Sequence, residues 1–157
     1  VKGIATAAGC QLVASCDLAV SADDAKFATS GVNIGLFCST PMVALARNVP
    51  RKLAMEMLLL GEFLPAARVA EMGLVNRVVP LAELEGACMD MARIIADKSS
   101  AAVKIGKRAF YEQLEMPLEQ AYAFAGRTMA ENMMAKDTVA GIGAFTRKEP
   151  MPEWTGE

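Results

Sequence analysis

Val1-Lys2-Gly3-Ile4-Ala5-Thr6-Ala7-Ala8-Gly9-Cys10-Gln11-Leu12-Val13-Ala14-Ser15-Cys16-Asp17 is the stretch whose reading decides the fold. A run of Gly and Ala leads into a short apolar helix, which closes on Cys16-Asp17 before an apolar strand. Side chains this small let another group approach the backbone closely. The helix that follows aims its unpaired N–H groups at whatever sits there. Backbone donors in such a place stabilise a developing oxyanion, as acyl-thioester chemistry requires. A site of this kind usually takes a second donor from elsewhere.

Composition narrows the function classes. The chain has 157 residues, 54% of them hydrophobic, which suits one globular domain with a sizeable core. A net charge of −2 lacks the basic excess of a nucleic-acid binder. No apolar run is long enough for a membrane span, so neither nucleic acid nor membrane is an expected partner. Histidine is absent, which excludes Ser-His or Cys-His nucleophilic machinery within the chain. Metal catalysis would rest on carboxylates alone, and none are clustered for it. The cysteines Cys10, Cys16, Cys38 and Cys88 show neither CxxC spacing nor a dense framework, and are read as buried, reduced thiols.

Along the chain, residues 9–16 predict a short buried helix, followed by strands at Leu18-Ala19-Val20 and near Lys26-Phe27-Ala28. Thr29 to Ser39 has no helical period and reads as a loop. Pro41, Pro50 and Pro65 mark helix starts, with Ser39-Thr40 as a cap, while Gly61 and Gly73 mark helix ends. Leu74 to Val79, rich in β-branched residues, predicts a short strand. Everything after it reads as helical. Leu84, Ala87, Cys88, Met91, Ile94 and Ile95 share one face, as do Leu118, Ala121, Tyr122, Ala125, Met129 and Met133. Between these lies a helix over 103–111 with basic residues on its exposed side. Methionines on these faces are gap-filling core residues.

The opening stretch resembles the second oxyanion-hole segment of the crotonase (enoyl-CoA hydratase/isomerase) family, roughly V-N-G-x-A-x-G-G-G-x-x-L-x-x-x-C-D. Four further blocks resemble the same family in the same order. They are Phe27-Ala28-Thr29-Ser30-Gly31-Val32-Asn33-Ile34-Gly35-Leu36, Leu53-Ala54-Met55-Glu56-Met57-Leu58-Leu59-Leu60-Gly61-Glu62, Ala67-Arg68-Val69-Ala70-Glu71-Met72-Gly73-Leu74-Val75-Asn76-Arg77-Val78-Val79-Pro80, and Gly143-Ala144-Phe145-Thr146-Arg147-Lys148. The run from Gly31 to Pro41 most resembles a mitochondrial branch and its bacterial relatives. The resemblance implies an α/β fold, the C-terminal part of the crotonase/ClpP-like ββα spiral. Residues 1–80 would form that part of the core and residues 81–157 a helical trimerisation region. Because the family's remaining strands and first oxyanion donor belong to its N-terminal part, the chain is expected to be a fragment or a truncated reading frame.

The resemblance also assigns residues. The oxyanion donor falls on the backbone N–H of Ala8, with Gly9 beside it in the substrate site; the competing reading is a tight strand–helix contact. The two hydratase glutamates fall on Gln11 and Gly31, so the acid/base function is lost at both, because neither can exchange a proton near neutral pH. Glutamates restored at both positions are expected to recover some hydration. An aspartate used for isomerisation in other members falls on Ser39, where a helix cap is the competing reading. Phe145 and Lys148 match positions that contact the CoA of a neighbouring subunit, and Lys148 is equally read as an exposed tail charge. The expected ligand is an acyl-CoA thioester, bound as substrate with no further cofactor, in a homo-trimer or hexamer. The location would be the cytoplasm in a bacterium or the mitochondrial matrix in a eukaryote. A catalytically silent thioester-binding or scaffold subunit is the second function class. A Clp-type peptidase fails on the missing histidine.

Overall fold

The structure is a computed structural model describing residues 1–157, and it divides into two compact units, Val1–Asp90 and Met91–Glu157. The first unit carries five short strands: β1 (Ile4–Thr6), β2 (Val20–Ala22), β3 (Lys26–Ala28), β4 (Leu64–Pro65) and β5 (Arg77–Val79). Its helices are α1 (Ala8–Ser15), α2 (Ser39–Asn48), α3 (Arg51–Leu60) and α4 (Ala66–Glu71). β1 and β3 run parallel with Thr6 opposite Ala28, so α1 lies on the crossover between them. β4 adds to β3 antiparallel, with Leu64 opposite Phe27, and β2 pairs separately with β5 in parallel. The core between these layers centres on Phe27, Leu45, Met57, Leu58 and Val69, all essentially inaccessible to solvent.

Sequence pattern foresaw two or three strands, and β1 and β4 were not among them. Both are too short to show a period, and Pro65 cannot extend the β4 ladder. The second strand also begins later than expected, at Val20. The Asn76 carboxamide takes the Ala19 N–H at 2.7 Å, and the Asn76 N–H donates to the Ala19 carbonyl at 2.8 Å. The side chain thus occupies the place a ladder bond would take, and β5 starts only at Arg77.

The segment expected to be a loop contains a 3₁₀ turn, Ser30–Ile34. It closes as a Schellman motif: Gly35 adopts φ 79°, its N–H donates to Val32, and the Leu36 N–H donates to Gly31 at 3.0 Å. Ser39 is not the cap of α2. Cys38 holds that position, and the Ser39 hydroxyl turns back to the Phe37 carbonyl at 3.3 Å. Pro41 is buried in the first turn, where a missing N–H costs no helical bond. Gly61 (φ 62°) ends α3 in the left-handed conformation, as the sequence implied. Of the four cysteines only Cys10 and Cys38 are buried; Cys16 and Cys88 are exposed, and all are free thiols.

After a 3₁₀ turn at Leu81–Glu83, α5 (Leu84–Ala96) leads from the first unit into the second, which continues with α6 (Ser100–Leu114), α7 (Leu118–Met133) and α8 (Lys136–Arg147). No side chain of α5, α6 or α7 is fully buried, and Leu118, Tyr122 and Met129 stand mostly exposed. The helical expectation fails after Lys148. The last residues fold back as an extended tail onto Asp137, whose carboxylate accepts from the Ser99 hydroxyl (2.6 Å), the Thr155 N–H (2.8 Å) and the Gly156 N–H (3.0 Å). These donors, Ser99 foremost, hold the Asp137 carboxyl down at about 2. Trp154 lies over Gly141, and its indole N–H donates to the Asp97 carbonyl at 3.0 Å.

Candidate functional site

The site in the first unit is built around Ala7. This residue has φ 47° and ψ −113°, a conformation glycine adopts freely and alanine does not. Its own N–H donates across to the Ala28 carbonyl at 3.1 Å, continuing the β1–β3 pairing. Its carbonyl accepts the Gln11 N–H at 3.0 Å, the first bond of α1. The chain therefore reverses sharply from strand to helix within one residue. The N–H groups of Ala8 and Gly9, in the first turn of α1, find no acceptor within the chain, and both residues are exposed. They and the positive end of the helix dipole face outward from the strand end.

Gln11 stands one turn further along α1 and is half-buried; its side-chain amide makes no hydrogen bond within the chain. Gly31 lies in the 3₁₀ turn after β3. A Cβ added there would fall 2.3 Å from the Leu36 carbonyl oxygen and 2.9 Å from the Cys38 sulfur. The obstruction is main chain, folded back by the Schellman closure, so position 31 is closed to every side chain, not only lacking a carboxylate. The two segments are tied together by the hydroxyls of Thr6 and Ser30, 3.0 Å apart. Next to Ser30, the Thr29 hydroxyl is completely buried and has no partner.

Titratable chemistry is scarce here. Burial, reinforced by the Cys38 thiol, pushes the Cys10 thiol up to about 11, so it stays neutral and inert. Cys38 is buried at the head of α2. No group of three or more His, Cys, Asp or Glu side chains is placed to hold a metal. Ser39 is exposed at the start of α2. Phe145 and Lys148 belong to the second unit: Phe145 is 76% exposed, and Lys148 ends α8 with φ 57°, its N–H donating to Phe145 and its side chain in solvent. The strained Ala7, the Thr6–Ser30 pair and the Leu36 carbonyl are features the sequence reading did not single out. The only signal was that Ala7 is the first of three small residues.

The enoyl-CoA hydratase/isomerase family model matches residues 1–157. The chain belongs to that family. Human mitochondrial enoyl-CoA hydratase domain-containing protein 3 is 52% identical over all of this chain, which covers 52% of the human protein. The rat protein of the same name is 51% identical over 99% of this chain and 51% of its own length. The chain thus spans about half the length of the curated relatives it matches. Among solved structures, an enoyl-CoA hydratase of Mycobacterium smegmatis superposes with a TM-score of 0.94 at 55% identity, covering 98% of this chain and 60% of that one. Human enoyl-CoA hydratase domain-containing protein 3 superposes with a TM-score of 0.90 at 52% identity, covering 96% and 59%. The fold is therefore that of the crotonases, represented here by their C-terminal portion, and the chain is close to the domain-containing protein 3 branch.

Proposed function

We propose that this family member binds acyl-CoA thioesters and polarises the thioester carbonyl with the Ala8 N–H, without the acid/base machinery for ordinary hydration. The observation that carries this reading is the turn at Ala7, which leaves two first-turn N–H groups of α1 unpaired. A carbonyl oxygen seated there gains charge-stabilising donors at a helix N-terminus. The Gln11 amide is free to orient the acyl group or a water, but exchanges no proton near neutral pH. Position 31 offers only main chain. In the assembly, Phe145 and Lys148 would offer an exposed ring and a cation to the CoA adenine and phosphate bound by a neighbouring subunit. No further cofactor is required. We place the assembly as a trimer or hexamer, and the location in mitochondria or bacterial cytoplasm according to source.

The test is spectroscopic. Butyryl-CoA carrying ¹³C at the thioester carbonyl should show a carbonyl stretch lowered on binding. An unshifted band would remove the oxyanion role. In calorimetry, Ala8→Pro, which lacks the N–H, should weaken butyryl-CoA more than free CoA. Equal weakening of both would reduce Ala8 to a packing residue.

The catalytically silent reading is favoured over a hydratase by Gly31 specifically. Its steric closure removes a carboxylate position in a way that no neighbouring side chain can replace.

A further inference from the structure

An open cleft of about 540 Å³ lies in the second unit between the end of α5 and the first turns of α6. That volume is within the range of small-molecule sites. Its floor is apolar: Ile95, Ala96 and Val103. Around it stand Lys98, Lys104, Lys107 and Arg108, with no acidic residue in the lining. Their methylene stems complete the apolar wall while their heads stay in water. The Arg108 guanidinium is neutralised by Glu112 at 2.6 Å. Lys98 and Lys104 form no ion pair, which leaves positive charge above an apolar floor, although Asp97 and Glu153 line the adjoining hollow that shares Lys98.

We infer that this cleft binds an amphipathic anion of the fatty-acid class, with the alkyl chain on the Ile95–Val103 floor and the carboxylate among the lysines. The charge pattern decides the class. A neutral apolar ligand would leave the Lys98 and Lys104 heads unmatched, and a purely polar anion would leave the floor wet. The site does not involve Ala8, Gln11, Gly31, Phe145 or Lys148, so it stands or falls separately from the thioester reading.

Calorimetry on the 157-residue chain with decanoate, decanol and free CoA as probes tests the inference. Decanoate should bind about tenfold more tightly than decanol, and the preference should shrink as salt is raised. Lys98→Glu with Lys104→Glu, both on the surface, should abolish the preference while circular dichroism stays unchanged. Equal affinity for decanoate and decanol overturns the inference. So does displacement of decanoate by free CoA, which would make the cleft a phosphate site. Loss of decanoate binding in step with self-association on raising protein concentration would show that a second copy covers the cleft, and also overturns it.

Discussion

The Leu36 carbonyl oxygen stands 2.3 Å from where a Cβ on Gly31 would lie. The two hydrogen bonds of the Schellman closure, from the Leu36 N–H to Gly31 and from the Gly35 N–H to Val32, fold the chain back so that Leu36 lies against Gly31. A side chain at position 31 must therefore displace main chain.

This relationship revises the expectation that glutamates at positions 11 and 31 would together restore hydration. Gly31→Glu should destabilise the chain by about 2 kcal/mol or more, the cost of forcing atoms into a filled space. The double variant should be no more active than Gln11→Glu alone. Thermal unfolding and a crotonyl-CoA assay measure both, and a stable double variant with added activity would contradict the closure argument.

Hydration by the unaltered protein should also be weak. Without proton transfer from positions 11 and 31, the rate should fall roughly 10⁴-fold or more below that of a two-glutamate enzyme. Loss of crotonyl-CoA absorbance at neutral pH follows this directly. Turnover within tenfold of an ordinary hydratase would require an acid/base group elsewhere.

Ala7 stores strain at the turn that exposes the Ala8 N–H. Ala7→Gly should stabilise by about 1 kcal/mol, because relief of the φ 47° conformation outweighs the extra freedom glycine has when unfolded. The melting temperature should rise by a few degrees. A lower one would mean that the methyl group packs more usefully than the strain costs.

Thr29 should respond to removal of its hydroxyl. Its oxygen is buried without a partner, so Thr29→Val, which keeps the shape, should stabilise by about 1 kcal/mol. Denaturant midpoints at constant slope report this. A destabilised variant would place an ordered water on that oxygen.

The tail clamp should be acid-labile. The Asp137 carboxyl sits at about 2 in the folded chain against an ordinary 3.8, so its contribution is fully present above about pH 4. It disappears as pH falls from there through 2. Trp154, the single tryptophan, reports tail docking. Its emission should hold steady down to about pH 4 and change below it, whereas Asp137→Asn should show the released signal already at pH 7. Identical neutral-pH spectra for the two proteins would show that the tail does not depend on the carboxylate.

Much of this molecule is local and was legible as such. The small-residue turn before α1, the prolines at the starts of α3 and α4, and the glycines that end helices at Gly61 and Gly73 each follow from φ constraints or missing donors within a few residues. The family resemblance rests on the same local blocks. Tertiary structure decided the rest. β1 and β4 exist only because β3 lies beside them, and so short a strand has no period to read. Ser39 does not cap α2, because the helix begins one residue earlier than expected, after Cys38, and the Ser39 hydroxyl turns back to the Phe37 carbonyl. Asp137 gathers donors from Ser99, Thr155 and Gly156, which only the folding of α6 and the tail brings together. Position 31 could be read as lacking a carboxylate, but not as closed, because closure depends on where a carbonyl five residues later points. Short-range backbone preferences are written in the residues themselves; the position of a distant acceptor is set only when the chain has packed.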